Sequence, residues 1–271
     1  MSALNDLPQR LLRAVSDCSP LQIIDAEGLD VAQGYALQRK GVLLRQARLE
    51  RVCGWKVAFA SDAAQHRFGL NEPVYGVLTD AMAVKAAATI DISELIQPKL
   101  EIELVLILGR DLKPGELNDD KIVEAIGSVA LGFEIADCRW ADWKFSAGGF
   151  LADNAAAAMY CLSEEVPFVV EQHAQVSYQL HHNGAWLGSG VSSLNAESPL
   201  AIVCWLVRRL LADGHHLCAG QVILSGALLP PIDIQPGRYT LAMFGTELAL
   251  NFVLGNGGSE GHSTICASTT I

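Results

Sequence analysis

Leu4, Leu7, Leu11, Leu12 and Val15 recur at the spacing of one helix face. A second segment, from about Gly28 to Arg51, sets Val31, Tyr35, Leu37, Val42, Leu43 and Leu44 among Arg and Gln. Residues 1 to about 70 therefore read as helical. Arg39, Lys40, Arg45, Arg48 and Arg51 make a solvated face, and the apolar face serves packing or self-association. From about residue 74 the pattern changes to short apolar runs bounded by Gly, Pro, Asn and Asp. Leu100, Ile102, Leu104 and Leu106 alternate with Glu101, Glu103 and Val105, which is strand periodicity. The segment 120–129 reads as a helix and Val129 to Ile135 as a buried strand. Gln175 to His182 and Ala185 to Gly190 flank Asn183-Gly184, a dipeptide suited to the positive φ values of a tight hairpin turn. Pro199 to Ala212 is a helix with Pro in its first turn and Gly214 past its end. Val222 to Ser225, Arg238 to Phe244 and Glu247 to Leu254 are late strands.

These elements predict an α+β protein. It has a helical N-terminal region over 1–75, a β-rich domain over 76–255 and a flexible tail rich in Gly, Ser and Thr over 256–271. Regular strand–helix alternation is missing, which argues against a doubly wound nucleotide fold. Gly-x-Gly-x-x-Gly, the P-loop pattern and the Gly-x-Ser-x-Gly elbow are also missing.

Composition narrows the classes. The 271 residues are 51% hydrophobic and 18% charged, too apolar for a disordered chain. A net charge of −11 disfavours nucleic acid as a partner. No apolar stretch reaches membrane-spanning length, and the first residues do not form a signal peptide. The seven cysteines are scattered and never form a C-x-x-C pair, so a reducing, cytoplasmic setting is expected and a thiolate zinc site is not.

Candidate chemistry begins at Lys99-Leu-Glu101-Ile-Glu103-Leu. Residues two apart on a strand share a face, about 6–7 Å apart. Two carboxylates within an apolar run are costly unless a cation compensates them. Oxygen ligands suit Mg²⁺ or Mn²⁺. The competing explanation is the wet side of an amphipathic strand. Glu134, in Ala130-Leu-Gly-Phe-Glu-Ile-Ala-Asp137, sits in a still more apolar strand. It either pairs with Arg139 or Lys144, or completes a three-carboxylate metal site. Lys56, in Gly54-Trp-Lys-Val-Ala-Phe59, is flanked by apolar residues. A desolvated lysine there can have a lowered pKa and move protons, or bind a substrate carboxylate; otherwise it snorkels from a strand end. Asp80, by itself, reads as a turn residue. His181-His182 and His215-His216 read as exposed and not as ligands.

Taken in order, several segments resemble the fumarylacetoacetate hydrolase superfamily. They are Gly54-Trp-Lys-Val, Ala64-Gln65 through Gly69 and Glu72-Pro73 to Gly76-Val-Leu, and Gln97-Pro-Lys-Leu-Glu101-Ile-Glu103. Phe133-Glu-Ile-Ala-Asp137, Asp142-Trp-Lys144, Ala152-Asp-Asn-Ala155, Ala219 through Ser225-Gly226-Ala and Gln235-Pro-Gly237 continue the match. Its hydratase and 4-oxalocrotonate decarboxylase branch is the most similar. The resemblance implies a mixed β-roll or sandwich body and Mg²⁺ or Mn²⁺ on Glu101, Glu103 and Glu134. It also implies a catalytic lysine and aspartate at Lys56 and Asp80. Lys99 and Ser225, inside the matching segments, are expected to contact substrate.

The implied reaction is hydration of 2-hydroxypenta-2,4-dienoate to 4-hydroxy-2-oxopentanoate in aromatic-compound catabolism, with metal charge stabilising an enolate. Decarboxylation of 2-oxohex-3-enedioate uses the same enolate chemistry and is the alternative. A non-catalytic partner subunit is a third reading. A homo-oligomer is expected, as is a complex with the pathway's paired decarboxylase or hydratase. Two departures stand out: Ala155–Ala158 replaces the branch's usual serines, and Ala196-Glu197-Ser198-Pro199 replaces its usual Gly and Asn or His before Pro.

Overall fold

The computed structural model describes residue 4 and residues 6–115, 117–193 and 197–255. The expected tail and Ala196 lie outside the described residues. The strands, in order, are β1 (Val52–Ala58), β2 (Val74–Thr79), β3 (Ala83–Val84), β4 (Thr89–Asp91), β5 (Pro98–Leu108), β6 (Ile126–Asp137) and β7 (Ala157–Leu162). They continue with β8 (Val166–Pro167), β9 (Ser177–His182), β10 (Ala185–Val191), β11 (Val222–Leu224), β12 (Ile232–Asp233), β13 (Gly237–Met243) and β14 (Thr246–Val253). The helices are α1 (Leu7–Ser16), α2 (Val31–Gln46), α3 (Asp62–Arg67), α4 (Asp119–Val123), α5 (Ala147–Ala152), α6 (Val170–His173) and α7 (Pro199–Ala212).

The larger sheet runs β2-β1-β11-β5-β6-β7-β3, with β12 on β5 and β8 on β6; the smaller runs β10-β9-β13-β14-β4. This mixed, two-sheet body with a helical flank is the α+β architecture that the sequence predicts. Long strands β5 and β6 pair in antiparallel register from Pro98↔Asp137 to Leu108↔Ile126. The even positions of β5, from Leu100 to Leu106, are buried in the main core with Phe133 and Ile135 of β6 and Leu241, Leu248 and Leu250 of the smaller sheet. Each such side chain contributes roughly 1.5–3 kcal/mol by leaving water.

Local chemistry sets the element ends. Asp30 and Gln33 form a reciprocal capping box at the start of α2, and Ser198 caps α7 ahead of Pro199. Asn183 (φ 51°) and Gly184 (φ 79°) make the expected hairpin turn between β9 and β10.

Two boundaries differ from expectation. The helical region gives way to sheet before residue 70, because β1 lies in the larger sheet between β2 and β11. Its centre, Gly54 to Val57, is buried on both faces, so the alternation that marks a strand is lost. The helix expected over 120–129 ends at Val123, and β6 begins at Ile126. Gly127 lets the β5 end approach closely: a Cβ there would lie 2.7 Å from Gly109 Cα.

Candidate active site

Directly paired residues share a face of a sheet. Glu101 pairs with Glu134, Glu103 with Gly132, Val105 with Leu224, and Leu224 with Lys56. Lys56 in turn pairs with Gly76. One face of the larger sheet therefore carries all three acids and Lys56, opposite the face that packs the main core. Glu103 and Glu134 are 0% exposed and Lys56 is 1% exposed, while Glu101 is partly open. Carboxylate oxygens of Glu101, Glu103 and Glu134 lie within 4.8 Å of one another.

Lys56 Nζ is 2.7 Å from Glu134 Oε1 and donates to the Ala155 carbonyl at 3.1 Å. The Gly226 amide donates to Glu103 Oε2 at 2.8 Å. Glu134 Oε2 and Glu103 Oε1 are buried with no hydrogen-bond partner. Such orphaned carboxylate oxygens are costly and call for a cation. Three ionised carboxylates and one ammonium leave two negative charges, which matches one divalent ion. Hard oxygen donors fit Mg²⁺ or Mn²⁺, so Glu101, Glu103 and Glu134 could hold either.

The protonation pattern follows from crowding. Burial, reinforced by the neighbouring acids, pushes Glu103 well above the usual carboxylate range. Burial likewise pushes Glu101 up to about 7 against the pull of Lys56. For Lys56 the expectation of a lowered pKa is overturned. Burial alone pulls it down, but the combined charges of Glu134, Glu101 and Glu103 hold it above an ordinary lysine. It is a charged ammonium inside the sheet, not a snorkelling lysine. Glu134 does not pair with Arg139 or Lys144. Arg139 is bound to Asp153 and Lys144 to Asp142.

Asp80 is not brought to this cluster. It starts a 3₁₀ turn after β2 and accepts from Arg51 N and Nε, both at 2.8 Å. It lies past the end of β2, four residues on from Gly76. Its hydrogen bonds to Arg51 hold its pKa below the usual range. Beside Lys56, β2 presents Val74, Gly76 and Leu78, none of them ionisable. The Ser225 hydroxyl donates to the Leu104 carbonyl at 2.6 Å, and the next residue's amide reaches Glu103. Lys99 is two residues from Glu101 on β5 but its ammonium is 2.5 Å from Asp233 and over the Trp143 ring.

Among the described residues, no histidine joins the acid group. His66 is exposed on α3, and His182 stacks on Tyr239. His215 is partly buried rather than exposed, against Trp55 and Tyr75. Two parts of the site escape sequence reasoning. One is the Gly226 amide, whose φ of 106° suits glycine. The other is the turn Asn154–Ala156, with φ values of 52°, 53° and 58°, which aims the Ala155 carbonyl at Lys56. Asn tolerates such values, but nothing about alanine announces them.

No protein-family model matches the chain. It is 34% identical over 210 residues to a 2-keto-4-pentenoate hydratase of Paraburkholderia xenovorans (strain LB400), covering 77% of this chain and 78% of that one. It is 33% identical over 240 residues to a 2-hydroxyhexa-2,4-dienoate hydratase of Comamonas testosteroni, covering 86% and 90%. Among solved structures, a 4-oxalocrotonate decarboxylase from Pseudomonas putida G7, complexed with magnesium and adipate, superposes with a TM-score of 0.84 at 24% identity over 93% of this chain and 97% of that one. A fumarylpyruvate hydrolase from Pseudomonas aeruginosa, in complex with Mn²⁺ and pyruvate, gives 0.54 at 17% identity over 74% and 89%.

Proposed function

Because the chain belongs to the 2-keto-4-pentenoate hydratase family, within the fumarylacetoacetate hydrolase superfamily, we propose that it hydrates 2-hydroxypenta-2,4-dienoate to 4-hydroxy-2-oxopentanoate. The observation that carries this reading is the trio Glu101, Glu103 and Glu134, the last two buried with oxygens left unpartnered beside one ammonium. These three residues would hold Mg²⁺ or Mn²⁺. Bound there, the ion would supply positive charge where the substrate's carboxylate and 2-oxygen gather negative charge.

The chain's own residues supply the proton handling. Isomerisation moves the enol O–H proton of the dienol to C5 and leaves a conjugated 2-oxo-3-enoate. Water then adds its oxygen at C4 and a proton at C3. Lys56 is the proton carrier in this reading, since its ammonium is fixed by Glu134 and Ala155 and is shielded from bulk water. A well-placed acid or base of this kind gives about 10²–10⁴-fold. Ala155–Ala158 adds no hydroxyl to the site.

Decarboxylation of 2-oxohex-3-enedioate needs a basic group for a second carboxylate. The cations flanking the acid strands, Lys99, Arg139 and Lys144, are each already paired with an aspartate. This favours the substrate with a neutral far end. The decisive experiment purifies the protein alone, measures its size by chromatography and assays both substrates with Mg²⁺. Hydration of the dienoate, lost in Glu103→Gln together with Mn²⁺ binding by calorimetry, is the expected result. Undiminished Mn²⁺ affinity in that variant rejects the metal assignment. Turnover of the enedioate instead makes the protein a decarboxylase, and inactivity on both substrates makes it a partner subunit.

A further inference from the structure

Arg139 and Asp153 are 3% and 1% exposed and touch none of the three acids. A buried ion pair is a weak source of stability, because desolvation offsets its attraction. Its hydrogen bonds show what it holds. The Arg139 amide donates to Asp153 Oδ2 at 2.9 Å and Nε donates to Asp153 Oδ1. One terminal nitrogen donates to the Ala157 carbonyl at 3.1 Å and to the Asp137 carbonyl at 2.6 Å, while the other donates to the Asp153 carbonyl. The guanidinium thus grips both ends of the segment 153–157 and ties it to the end of β6, the strand that carries Glu134.

Between the gripped ends lie Asn154, Ala155 and Ala156, three successive non-glycine residues in the left-handed region. Such a backbone persists only where its surroundings over-determine it. Asn154 adds a second restraint, since its side chain accepts from Val77 N and donates to Val77 O, both at 2.8 Å. The product of this strain is one contact, the Ala155 carbonyl 3.1 Å from Lys56 Nζ. Lys56 is therefore held on one side by Glu134 and on the other by a turn whose shape depends on Arg139.

We infer that Arg139 is a positioning residue: by clamping the left-handed turn 154–156 it fixes the Ala155 carbonyl, and through it the Lys56 ammonium, relative to the acid cluster. This rests on the reading of Lys56 as the proton carrier. Displacement of a reacting group by about 1 Å costs on the order of 100-fold in rate. Loss of the clamp should therefore lower kcat while leaving substrate and metal binding, which the glutamates would govern, nearly unchanged.

The test compares wild type with Arg139→Lys, with the double variant Arg139→Met/Asp153→Leu, and with Asn154→Ala. The double variant removes both buried charges together and so keeps the protein folded where a single neutralisation could unfold it. Asn154→Ala loosens the turn without touching the ion pair. The expected result is kcat reduced by roughly 100-fold in the first two and by a smaller factor in Asn154→Ala. KM and Mn²⁺ affinity should stay close to wild type in all three. A folded double variant with wild-type kcat overturns the inference, as does Mn²⁺ affinity that falls in step with kcat. Wild-type kcat in Asn154→Ala breaks the link from turn to lysine. If wild type binds Mn²⁺ but hydrates nothing, the hydratase reading fails and the clamp is judged separately, from a crystal structure of the double variant. There Lys56 Nζ should have left hydrogen-bond reach of Ala155 O; an unchanged contact refutes the clamp.

Discussion

At the scale of single residues, Lys56 and Asp80 separate two kinds of evidence. Both match a family pattern by position, but the structure gives them different surroundings. Lys56 is buried against Glu134 and Ala155. Asp80 is bound to Arg51 at the other end of β1. Lys56→Met is expected to lower kcat by about 10²–10⁴-fold. Asp80→Asn is expected to leave kcat near wild type, because its carboxylate is taken up by Arg51 and is not among the clustered acids. Steady-state kinetics on the two variants checks this, and a large loss in Asp80→Asn would place that carboxylate in the reaction. The three glutamates stood out in the sequence as charge inside apolar strands, with a wet strand face and an Arg139 or Lys144 partner as the alternatives to a metal. The pairing of Lys56 with Glu134 was not legible there, since it joins residues 78 positions apart.

At the scale of elements, the site is a product of strand register. β5 places Glu101 and Glu103 two apart on one face, and β6 lays Glu134 directly across from Glu101. A one-residue slip of either strand would turn its acids into the main core. On β2, Gly76 leaves the space that the Lys56 stem and the left-handed turn occupy. A Cβ there would lie 2.7 Å from the Asn154 carbonyl oxygen and 3.0 Å from Lys56 Cγ and Cδ. Gly76→Ala is therefore expected to cost about 1–3 kcal/mol of stability by overpacking and to lower kcat further than that loss of folded protein explains. Chemical denaturation alongside kinetics at a temperature where the variant is folded checks it. Wild-type kcat per folded molecule would show that the lysine tolerates the intrusion. β5, the hairpin β9–β10 and α7 were readable from periodicity and turn chemistry. β1 was not, because a strand buried on both faces carries no alternation.

At the scale of the whole molecule, the acid cluster ties stability to pH and to metal. Burial raises Glu101 to about 7 and Glu103 well above its ordinary value in the metal-free protein. The folded state then binds more protons than the unfolded one, so stability falls as pH rises through and beyond the ordinary carboxylate range. The EDTA-treated protein should melt higher near pH 5 than near pH 8, and Mn²⁺ should raise Tm more at pH 8, where ionised ligands favour the bound form. A metal-free Tm that climbs from pH 5 to 8, or an equal Mn²⁺ effect at both, contradicts the crowding of these acids.

The sequence by itself determined which stretches are apolar, where many turns fall and that Glu101, Glu103 and Glu134 are acids set in apolar runs, because these follow from local periodicity and composition; it left a metal, a wet strand face and an Arg139 or Lys144 partner as competing explanations. Only the tertiary structure decided that β1 joins the larger sheet, that Asp80 is bound to Arg51 and the Ser225 hydroxyl to the Leu104 carbonyl, and that an arginine-clamped turn meets Lys56. Those outcomes depend on contacts between residues far apart in the chain, and no spacing along it encodes which distant strands become neighbours.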